Sequence, residues 1–486
     1  MASLSKFVLG VAAALLTVQI RAAPVPEVPY KYVLAFSIDG MHSSDVEKYT
    51  AARPGSNITK LLSTGYEYTN AFTSAPSDSF PGSIAQFTGG SPRTTGIWYD
   101  DVWDWTYYPP GSNCTGTPGA EVAYAENLDY NSSLLWSGGI DPGNLPQTLV
   151  DGKCVSVYPH SRVQVNTAFE VARAAGLQTA YVDKHPSYEI MNGPSGKGLS
   201  VGYFPEIQAV PVTVNDTIAY DELHVQAWLS LIEGKAPLNS SGALNTSAMP
   251  SLMGGNFQSV SVAQKTVGYN NDSTSSLSPA LIHAFDYVDA ALGRIRAKLE
   301  QKGYLNDTLI IVASKHGQAP INPRLWTEVD PDALVNATGV PVAFATTDDI
   351  GLIWLNDTAD IPTAVGNLAK NASELDIQTT ISGAQLIAQG FGNSAASSRV
   401  PHLIVRPKLG TCFTTSKTKL AEHGGLSDDD RKVACFISNP KLQKMTWSQA
   451  VNTTQIAPTI LKALGLDPNA LEAVLSENTP LLPGFA

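Results

Sequence analysis

Continuous apolar runs that end in polar residues mark the predicted strands of this chain. Tyr32 to Ile38 is one such run and ends at Asp39-Gly40, and Thr308 to Ala313 is a second that ends just before Lys315-His316. A run without polar alternation is typical of a strand buried on both faces, as in a parallel sheet. Leu281 to Lys302 carries apolar residues at three- and four-residue steps, which predicts a long amphipathic helix. The chain therefore reads as an α/β fold with a mostly parallel central sheet flanked by helices.

The remaining pattern predicts shorter elements around this framework. Helices are expected at 57–64, 82–88, 166–175, 361–368 and 454–464, and strands or extended segments at 66–72, 178–182, 342–346, 350–355 and 402–405. Residues 98–160 are rich in Trp, Tyr, Gly, Pro and Asn, which predicts a long loop insertion, and a second insertion is expected over about 185–275. No internal repeat divides the 486 residues, so we expect one domain, 23–486, with two insertions.

Residues 1–22 have the pattern of a secretory signal peptide. Lys6 precedes an apolar run from Phe7 to Val18, and small residues follow at Ala22-Ala23. The run is about a dozen residues, shorter than the about 20 that a bilayer span requires, and a short N-terminal helix is the alternative. No later segment predicts a membrane span. We therefore expect a secreted, extracellular protein.

The cysteines and the glycosylation sequons agree with secretion. Local pairing, Cys114 with Cys154 and Cys412 with Cys435, is the simplest of three possible connectivities. Twelve Asn-x-Ser/Thr sequons predict surface glycosylation. They are Asn57, Asn113, Asn131, Asn215, Asn239, Asn245, Asn271, Asn306, Asn336, Asn356, Asn371 and Asn452.

Composition and charge narrow the class of partner. The chain is 43% hydrophobic and 15% charged, which suffices for a large core, and its formal net charge is −12. An acidic surface disfavours a nucleic-acid polymer as the partner. A small phosphoester remains compatible, because one pocket can differ in sign from the whole surface.

Side chains that could bind a metal or take part in catalysis follow the predicted strands. Asp39 ends the first apolar run, His316 follows the second, and His423 lies in a later glycine-containing loop. Ligands bind at the carboxyl edge of open α/β sheets, and a carboxylate with two imidazoles is a plausible metal set. The alternative is that each of these residues only caps a helix or satisfies a loop.

Ser79 lies just before a predicted helix, in the segment Ser77 to Gly82. A hydroxyl at a helix start is well placed for nucleophilic attack, provided that a base or a metal activates it. The alternative is that Ser79 is only an N-cap, a position at which serine is common.

Several motifs together resemble the type I phosphodiesterase/nucleotide pyrophosphatase family of the alkaline phosphatase-like superfamily. The similar segments are Asp39-Gly40, Thr73 to Pro81, Thr88-Gly89, Thr95 to Ile97, Val288 to Arg294, Tyr304 to Val312, His316-Gly317 and Ile456 to Leu461. They span roughly 30–465 and keep the family's order. The resemblance implies an alkaline phosphatase-like fold.

The resemblance also implies roles for individual residues. Asp39, His316 and His423 would be metal ligands, and Ser79 would be both a ligand and the nucleophile that is transiently phosphorylated. The implied cofactor is a divalent metal, most simply zinc, in one or two sites. The implied activity is hydrolysis of a small phosphoester or phosphodiester.

The sequence departs from the family pattern at the metal ligands. Lys315 replaces the aspartate of an Asp-His-Gly motif, and no Asp-x-x-x-His pair occurs between about 250 and 275. Asn256 lies near that expected place, and Gly82 replaces an asparagine that helps to hold phosphate. A protonated lysine has no lone pair to offer a metal.

Three interpretations follow from these departures. The chain binds metal with Lys315 as an electrostatic substitute, it recruits other ligands such as Asp78, Asp183 and His185, or it has lost hydrolysis. Our leading hypothesis is a metal-dependent hydrolase with Ser79 and Lys315 as catalytic residues. In it Asp39, His316 and His423 hold the metal, and Lys315 neutralises phosphate charge. The expected substrate contacts are Gly82, Lys184, His185 and Asn256. The alternatives are a non-catalytic secreted binding protein on the same fold, and a metal-independent hydrolase built on Ser79, Lys315 and His185.

Overall fold

The computed structural model describes residues 30–124 and 126–485, so the predicted signal peptide lies outside the described residues. The strands are β1 (Tyr32–Ile38), β2 (Gly65–Tyr68), β3 (Ala71–Phe72), β4 (Asp101–Asp104), β5 (Ala120–Ala123), β6 (Gln147–Val150), β7 (Lys153–Ser156), β8 (Thr179–Val182), β9 (Val201–Tyr203), β10 (Ser241–Gly242), β11 (Leu252–Phe257), β12 (Thr308–Ala313), β13 (Thr327–Val329), β14 (Val342–Thr347), β15 (Gly351–Leu355), β16 (Ile377–Ser382), β17 (Leu403–Pro407), β18 (Thr411–Phe413), β19 (Lys432–Val433), β20 (Cys435–Ser438), β21 (Met445–Trp447) and β22 (Val451–Asn452). The α-helices are α1 (Ser43–Ala52), α2 (Asn57–Ser63), α3 (Ser79–Thr88), α4 (Pro92–Thr95), α5 (Ala168–Ala174), α6 (Val214–Ile232), α7 (Ser259–Thr266), α8 (Pro279–Gln301), α9 (Pro331–Ala337), α10 (Ile361–Lys370), α11 (Ala384–Ala388), α12 (Asp428–Arg431), α13 (Ile456–Ala463) and α14 (Glu472–Glu477).

The central sheet has nine strands in the order β10-β9-β8-β11-β1-β12-β20-β2-β21. Strand β1 lies in the middle and is parallel to both neighbours, β11 and β12. The antiparallel pairings are β9 with β10, and β20 with β12 and β2. The predicted strand at Thr308–Ala313 is confirmed, and so is a mostly parallel sheet flanked by helices.

The register of the three middle strands brings their ends together. Ser37 of β1 is level with Asn256 of β11 on one side and with Ala313 of β12 on the other. Because all three strands run in the same direction, the residues that follow them emerge at one edge of the sheet. Asp39 and Lys315 therefore become neighbours, although 276 positions separate them in the sequence.

Large apolar clusters cover both faces of the central sheet. Leu34 and Phe36 of β1 point into the cluster that contains helices α6 and α8. Val33 and Ala35 point into the other, which contains helices α3 and α13. Alternate residues of one strand thus enter opposite clusters, which explains why the β1 sequence is apolar without interruption.

Both predicted insertions contain more regular structure than expected. Segment 98–160 includes the hairpins β4–β5 and β6–β7. Segment 185–275 contains β11, which is a direct neighbour of β1, and the 19-residue helix α6. The prediction of insertions missed them because glycine-rich β11 (LMGGNF) lacks the β-branched run of β1 and β12.

One predicted disulfide is present and the other is wrong. Cys114 and Cys154 are bonded, with their Cα atoms 5.6 Å apart. Cys412 and Cys435 are both free and buried. The pairing fails because the first lies on β18, which pairs with β13, whereas the second lies on β20 of the central sheet.

The predicted glycosylation sites lie outside the core. Of the twelve sequon asparagines, Asn57 and Asn371 are half-buried and the others are exposed. Glycosylation itself stays a prediction. Within 30–124 and 126–485, no helix combines the length and the apolar character that a membrane crossing requires.

Candidate active site

Asp39 is the centre of the candidate site. It is fully buried at the end of β1, and its Oδ1 lies 2.6 Å from Nε2 of His316. Its Oδ2 lies 3.3 Å from Nζ of Lys315, 3.5 Å from Nζ of Lys184 and 3.4 Å from Nδ2 of Asn256. Burial acts to raise the pKa of Asp39, but the adjacent imidazole and the two ammonium groups outweigh it and hold that pKa well below its usual range. Asp39 is therefore a carboxylate.

Ser79 is the first residue of helix α3. The helix starts three residues earlier than predicted because Asp78 is the N-cap and its carboxylate accepts a hydrogen bond from the N–H of Phe80, at 3.3 Å. The N-cap alternative for Ser79 is thereby excluded. Ser79 is only 4% exposed, and its Oγ lies 3.3 Å from Nε2 of His316 with hydrogen-bond geometry.

His316 is oriented by its own chain. Its Nδ1 lies 2.8 Å from the carbonyl oxygen of Gly317, an atom that can only accept, so Nδ1 carries the proton. Nε2 lies within reach of two groups, the hydroxyl of Ser79 at 3.3 Å and Oδ1 of Asp39 at 2.6 Å. Burial lowers the pKa of His316 despite the opposing effect of Asp39, and Lys315 lowers it further. Burial thus favours the neutral ring, which can take up a proton next to the serine.

Lys315 is held entirely inside the protein. Its Nζ contacts Asp39 and donates to the hydroxyl of Tyr188 at 2.9 Å. Its backbone N–H donates to Oγ of Ser37 at 3.1 Å, and its carbonyl oxygen accepts a hydrogen bond from the hydroxyl of Thr73. A buried ammonium is tolerated only when it is paired and hydrogen-bonded, and both conditions are met here.

Gly82 lets helix α3 approach the end of β12. A Cβ at this position would collide with the carbonyl oxygen of Lys315. The N–H of Gly82 donates within the helix to the carbonyl of Asp78 at 2.9 Å. The structure thus gives Gly82 a packing role, and its predicted contact with substrate stays untested.

His423 packs against His316 and lies next to Asp78. Its ring centroid is 3.8 Å from that of His316, and its Nδ1 is 3.4 Å from Oδ1 of Asp78. Burial and the neighbouring His316 hold the pKa of His423 well below its usual range. Burial raises the pKa of Asp78 to about 6. Among the described residues, Nδ1 of His423 and Oδ1 of Asp78 have no hydrogen-bond partner.

A group of buried carboxyl residues lies behind His423. We call Asp348, Asp349, Glu422 and Asp430 the acidic cluster; all four are buried or nearly so. Tyr99 donates to Asp348 at 2.9 Å, and Glu422 is ion-paired with Lys265 and Lys419. Burial raises the pKa of Asp348 to about 8 and holds that of Asp349 well above its usual range. This cluster was not predicted from the sequence, although Asp348-Asp349 is a pair of carboxyl residues directly after a strand, β14.

The predicted substrate contacts at 184 and 185 face different partners. Lys184 reaches Asp39, and its side chain is 13% exposed. His185 pairs with Glu206, its Nδ1 2.7 Å from Oε1, and its ring lies parallel to that of Tyr188. Asp183, the other alternative ligand, accepts a hydrogen bond from the hydroxyl of Tyr181 at 3.0 Å. Of these residues, Lys184 is the one that contacts Asp39.

The donors do not fit the zinc centre that the sequence resemblance implies. In the described part of the chain, no three or more His, Cys, Asp or Glu side chains are arranged to hold a metal ion. Asp39 already faces the ammonium groups of Lys315 and Lys184, and a dication beside them would be repelled. Asn256 adds only a neutral amide. The positive charge of this site therefore comes from lysine side chains.

Comparison with known proteins identifies the fold and the family model that this chain matches. A family model described as type I phosphodiesterase / nucleotide pyrophosphatase matches residues 33–429. The solved structures of murine ectonucleotide pyrophosphatase / phosphodiesterase 5, free and as an inactive form in complex with AMP, superpose with TM-scores of 0.61 and 0.60. Each is 14% identical in sequence, and the alignment covers 90% of this chain and 96% of that one.

The human ectonucleotide pyrophosphatase / phosphodiesterase 5 gives a similar result. Its TM-score is 0.59 at 14% identity, with 90% of this chain and 95% of that chain covered. No curated protein sequence matches this chain. The structural similarity shows the fold, and the expected alkaline phosphatase-like architecture is confirmed.

Proposed function

Because the chain belongs to the type I phosphodiesterase/nucleotide pyrophosphatase family, we propose that it is a secreted hydrolase of small phosphoesters or phosphodiesters with Ser79 as its nucleophile. The observation that carries the proposal is the 3.3 Å hydrogen bond from Ser79 Oγ to Nε2 of His316, at the edge of the sheet where Asp39 and Lys315 meet. A serine hydroxyl needs an adjacent base to become nucleophilic, and this nitrogen is the available base.

The first step is attack of Ser79 Oγ on phosphorus. The hydroxyl proton moves to Nε2 of His316 while the bond from phosphorus to the leaving oxygen breaks, and the leaving group then takes that proton. Oδ1 of Asp39, 2.6 Å from Nε2, stabilises the imidazolium that forms in between. Water next attacks the phosphorus atom of the phosphorylated serine and gives its proton to the same nitrogen. The bond from phosphorus to Oγ breaks, Oγ takes that proton back, and the phosphate product is released.

The two lysines supply the charge that holds the phosphoryl group. Lys315 and Lys184 both face Asp39, so the three side chains together carry one excess positive charge. The first N–H groups of helix α3 are engaged by Asp78. An anionic phosphoryl oxygen would therefore bind to the ammonium groups, which act as fixed point charges in a site of low dielectric constant.

The proposal is tested on protein treated with a chelator, with chromogenic phosphodiester and monoester substrates. We expect the wild-type protein to retain turnover and Ser79→Ala to lose it by on the order of 10³-fold or more. Ser83→Ala is the matched control, since Ser83 is a second buried serine of the same helix, four residues after Ser79.

The other outcomes are distinguishable. Unchanged turnover in Ser79→Ala would remove Ser79 from the mechanism. Turnover that returns only when zinc is added would keep the serine and reject the lysine-based account.

A non-catalytic binding protein on the same fold is the second candidate. The observation in its favour is that Lys315 already neutralises Asp39, as expected for a site that holds an anion without reacting. Wild-type protein that binds phosphate esters by calorimetry, yet turns over none of them with or without zinc, would favour this candidate.

Secretion is part of the proposal and has its own test. The signal-like segment 1–22 and the exposed sequons support it. Expression in a eukaryotic secretory host should yield medium protein whose N-terminus lies near residue 23 and whose mass falls on treatment with an N-glycosidase. Retention of residues 1–22 in an intracellular product would contradict it.

A further inference from the structure

Arg162 is a buried cation whose donors are unused. It ends the short 3-10 helix Pro159–Arg162 and is 1% exposed. Counting partners among the described residues, none of its three side-chain nitrogens makes a hydrogen bond. A guanidinium does not lose its proton inside proteins, so a full positive charge with five N–H donors is buried there. Buried charges in proteins are normally paired and hydrogen-bonded.

The nearest carboxylate does not satisfy this charge. Oδ2 of Asp104 lies 3.6 Å from Nη2 of Arg162, beyond hydrogen-bond distance. That oxygen instead accepts from Nε of Arg399 at 2.9 Å, and Oδ1 accepts from the N–H and the hydroxyl of Thr106 at 2.9 and 2.7 Å. Asp104 thus accepts three hydrogen bonds, and none of them comes from Arg162.

Arg399, by contrast, is well partnered. In addition to Asp104, it donates to the carbonyl oxygen of Arg162 at 2.7 Å and to the hydroxyl of Tyr107 at 3.1 Å. Two guanidinium groups therefore share one carboxylate, and one positive charge is left over. The unused donors belong to Arg162 alone.

Aromatic rings surround the unused donors. The Cζ atom of Arg162 lies 5.3 Å from the ring centroid of Tyr107 and 5.6 Å from that of Tyr124. The hydroxyl of Tyr124 is also buried, and it has no hydrogen-bond partner within the described residues. Ring faces compensate part of a cation's charge, but they do not accept five N–H bonds. A guanidinium offers only donors, so a ligand that uses them must accept hydrogen bonds.

We propose that Arg162 and the hydroxyl of Tyr124 bind a small inorganic anion of the halide type. The anion supplies the missing negative charge and accepts from the guanidinium and the phenol together. Arg162 and Tyr124 are each 1% exposed, which favours a monatomic anion over the acidic group of a larger molecule. The ring of Tyr124 stacks on that of Phe80, with centroids 5.0 Å apart, and Phe80 follows Ser79. Tyr124 is thus connected to the candidate active site through the ring of Phe80.

The direct test is a crystal of the full-length wild-type protein soaked in bromide, with data collected at the bromine absorption edge. We expect an anomalous peak within about 3.5 Å of a side-chain nitrogen of Arg162, a distance typical of halide hydrogen bonds. An ordered water at that point, with no anomalous signal, would overturn the proposal.

A solution measurement gives an independent result. At constant ionic strength, replacing gluconate by chloride should raise the Tm of the wild-type protein by about 2–4 °C, since an anion that binds only the folded state stabilises it. Arg162→Leu should lose this anion-specific shift, whereas Arg324→Leu, at an exposed arginine, should keep it. An equal shift in both variants would contradict the assignment. If Arg162→Leu does not fold, the bromide crystal of the wild-type protein still decides.

Discussion

Two groups of buried charged residues in the candidate site, one around Asp39 and one formed by the acidic cluster, differ in how their carboxyl groups are compensated. In the first group a single carboxylate, Asp39, is surrounded by the ammonium groups of Lys315 and Lys184 and stays ionised. In the second group the acidic cluster crowds four carboxyl groups together, and its two lysine partners both bind the same one, Glu422. Burial then raises the pKa of Asp348 to about 8, so this group keeps its proton at neutral pH.

This difference shows what decides whether a buried carboxyl group of this site is charged. Burial is nearly complete in both groups, so burial alone does not decide whether a carboxyl group is charged. The number of cations that remain free to pair with it decides. A metal centre needs carboxylates that are free to coordinate, whereas Asp39, the carboxylate next to His316, already faces two lysine ammonium groups.

Among the variants that compare these two groups of charged residues, the largest effect is expected from removing Lys315, the fully buried cation next to Asp39. Lys315→Met keeps most of the side-chain volume but leaves Asp39 with only Lys184, and breaking a buried ion pair should lower the free energy of unfolding by about 3 kcal/mol. Turnover of a chromogenic phosphodiester should fall by on the order of 10²–10³-fold. Urea denaturation and steady-state kinetics measure the two quantities.

A double variant separates charge from packing in this experiment. Asp39→Asn together with Lys315→Met removes both members of the pair and should recover part of the lost stability, because no unpaired charge remains buried. Lys408→Met is the control for loss of a lysine, since its ion pair with Asp376 lies at the exposed surface. A Lys315→Met protein as stable as the wild type would show that the two groups do not differ as described.

The acidic cluster predicts a stability that depends on pH. Burial, reinforced by the charge of Glu422, raises the pKa of Asp348 to about 8, compared with 3.8 in the unfolded chain. Between these values the folded state binds a proton that the unfolded state has released, so stability falls as pH rises through this window. The slope is at most about 1.4 kcal/mol per pH unit for one such group.

Asp348→Asn tests this prediction. Asparagine keeps an acceptor for the hydroxyl of Tyr99 but cannot ionise, so the variant should lose less stability than the wild type between about pH 5 and about pH 8. Chemical denaturation at several pH values measures the slope. If the free energy of unfolding depends on pH equally in the two proteins, groups other than Asp348 must titrate in this range.

The smallest effect is expected for Lys184, the partly exposed lysine next to Asp39. Lys184 is partly exposed and lies 3.5 Å from the carboxylate, so Lys184→Gln should cost at most about 1 kcal/mol of stability. If Lys184 contributes to substrate binding, the Lys184→Gln variant should have a several-fold higher KM and nearly the same kcat as the wild type. A large loss of stability would mean that Lys184 is as structural as Lys315.

The sequence predicted the backbone framework well because the signal there is local. Both middle strands, Tyr32–Ile38 and Thr308–Ala313, follow from uninterrupted apolar runs, and their polar ends meet because parallel neighbours share an edge. The meeting of Asp39 with Lys315 could therefore be anticipated. The family resemblance implied that Ser79 and His316 belong to one site, whereas their direct hydrogen bond was not predicted.

The partners that set charge could not be predicted in the same way. Tyr188 binds Lys315 across 127 positions, and Tyr99 binds Asp348 across 249, with no periodicity that links them. The wrong pairing of Cys412 with Cys435 has the same origin, since proximity in sequence does not decide which sheet a strand joins. Such contacts depend on the packed tertiary structure.

The close approach of α3 to the end of β12 bears on how such a site can change during evolution. Position 82 has no room for any side chain, because the backbone carbonyl of Lys315 lies against it. An aspartate at position 315 would keep that carbonyl in place, so it would not by itself make room for an asparagine at position 82. Residue 82 can become larger only together with a shift of the α3 backbone away from β12.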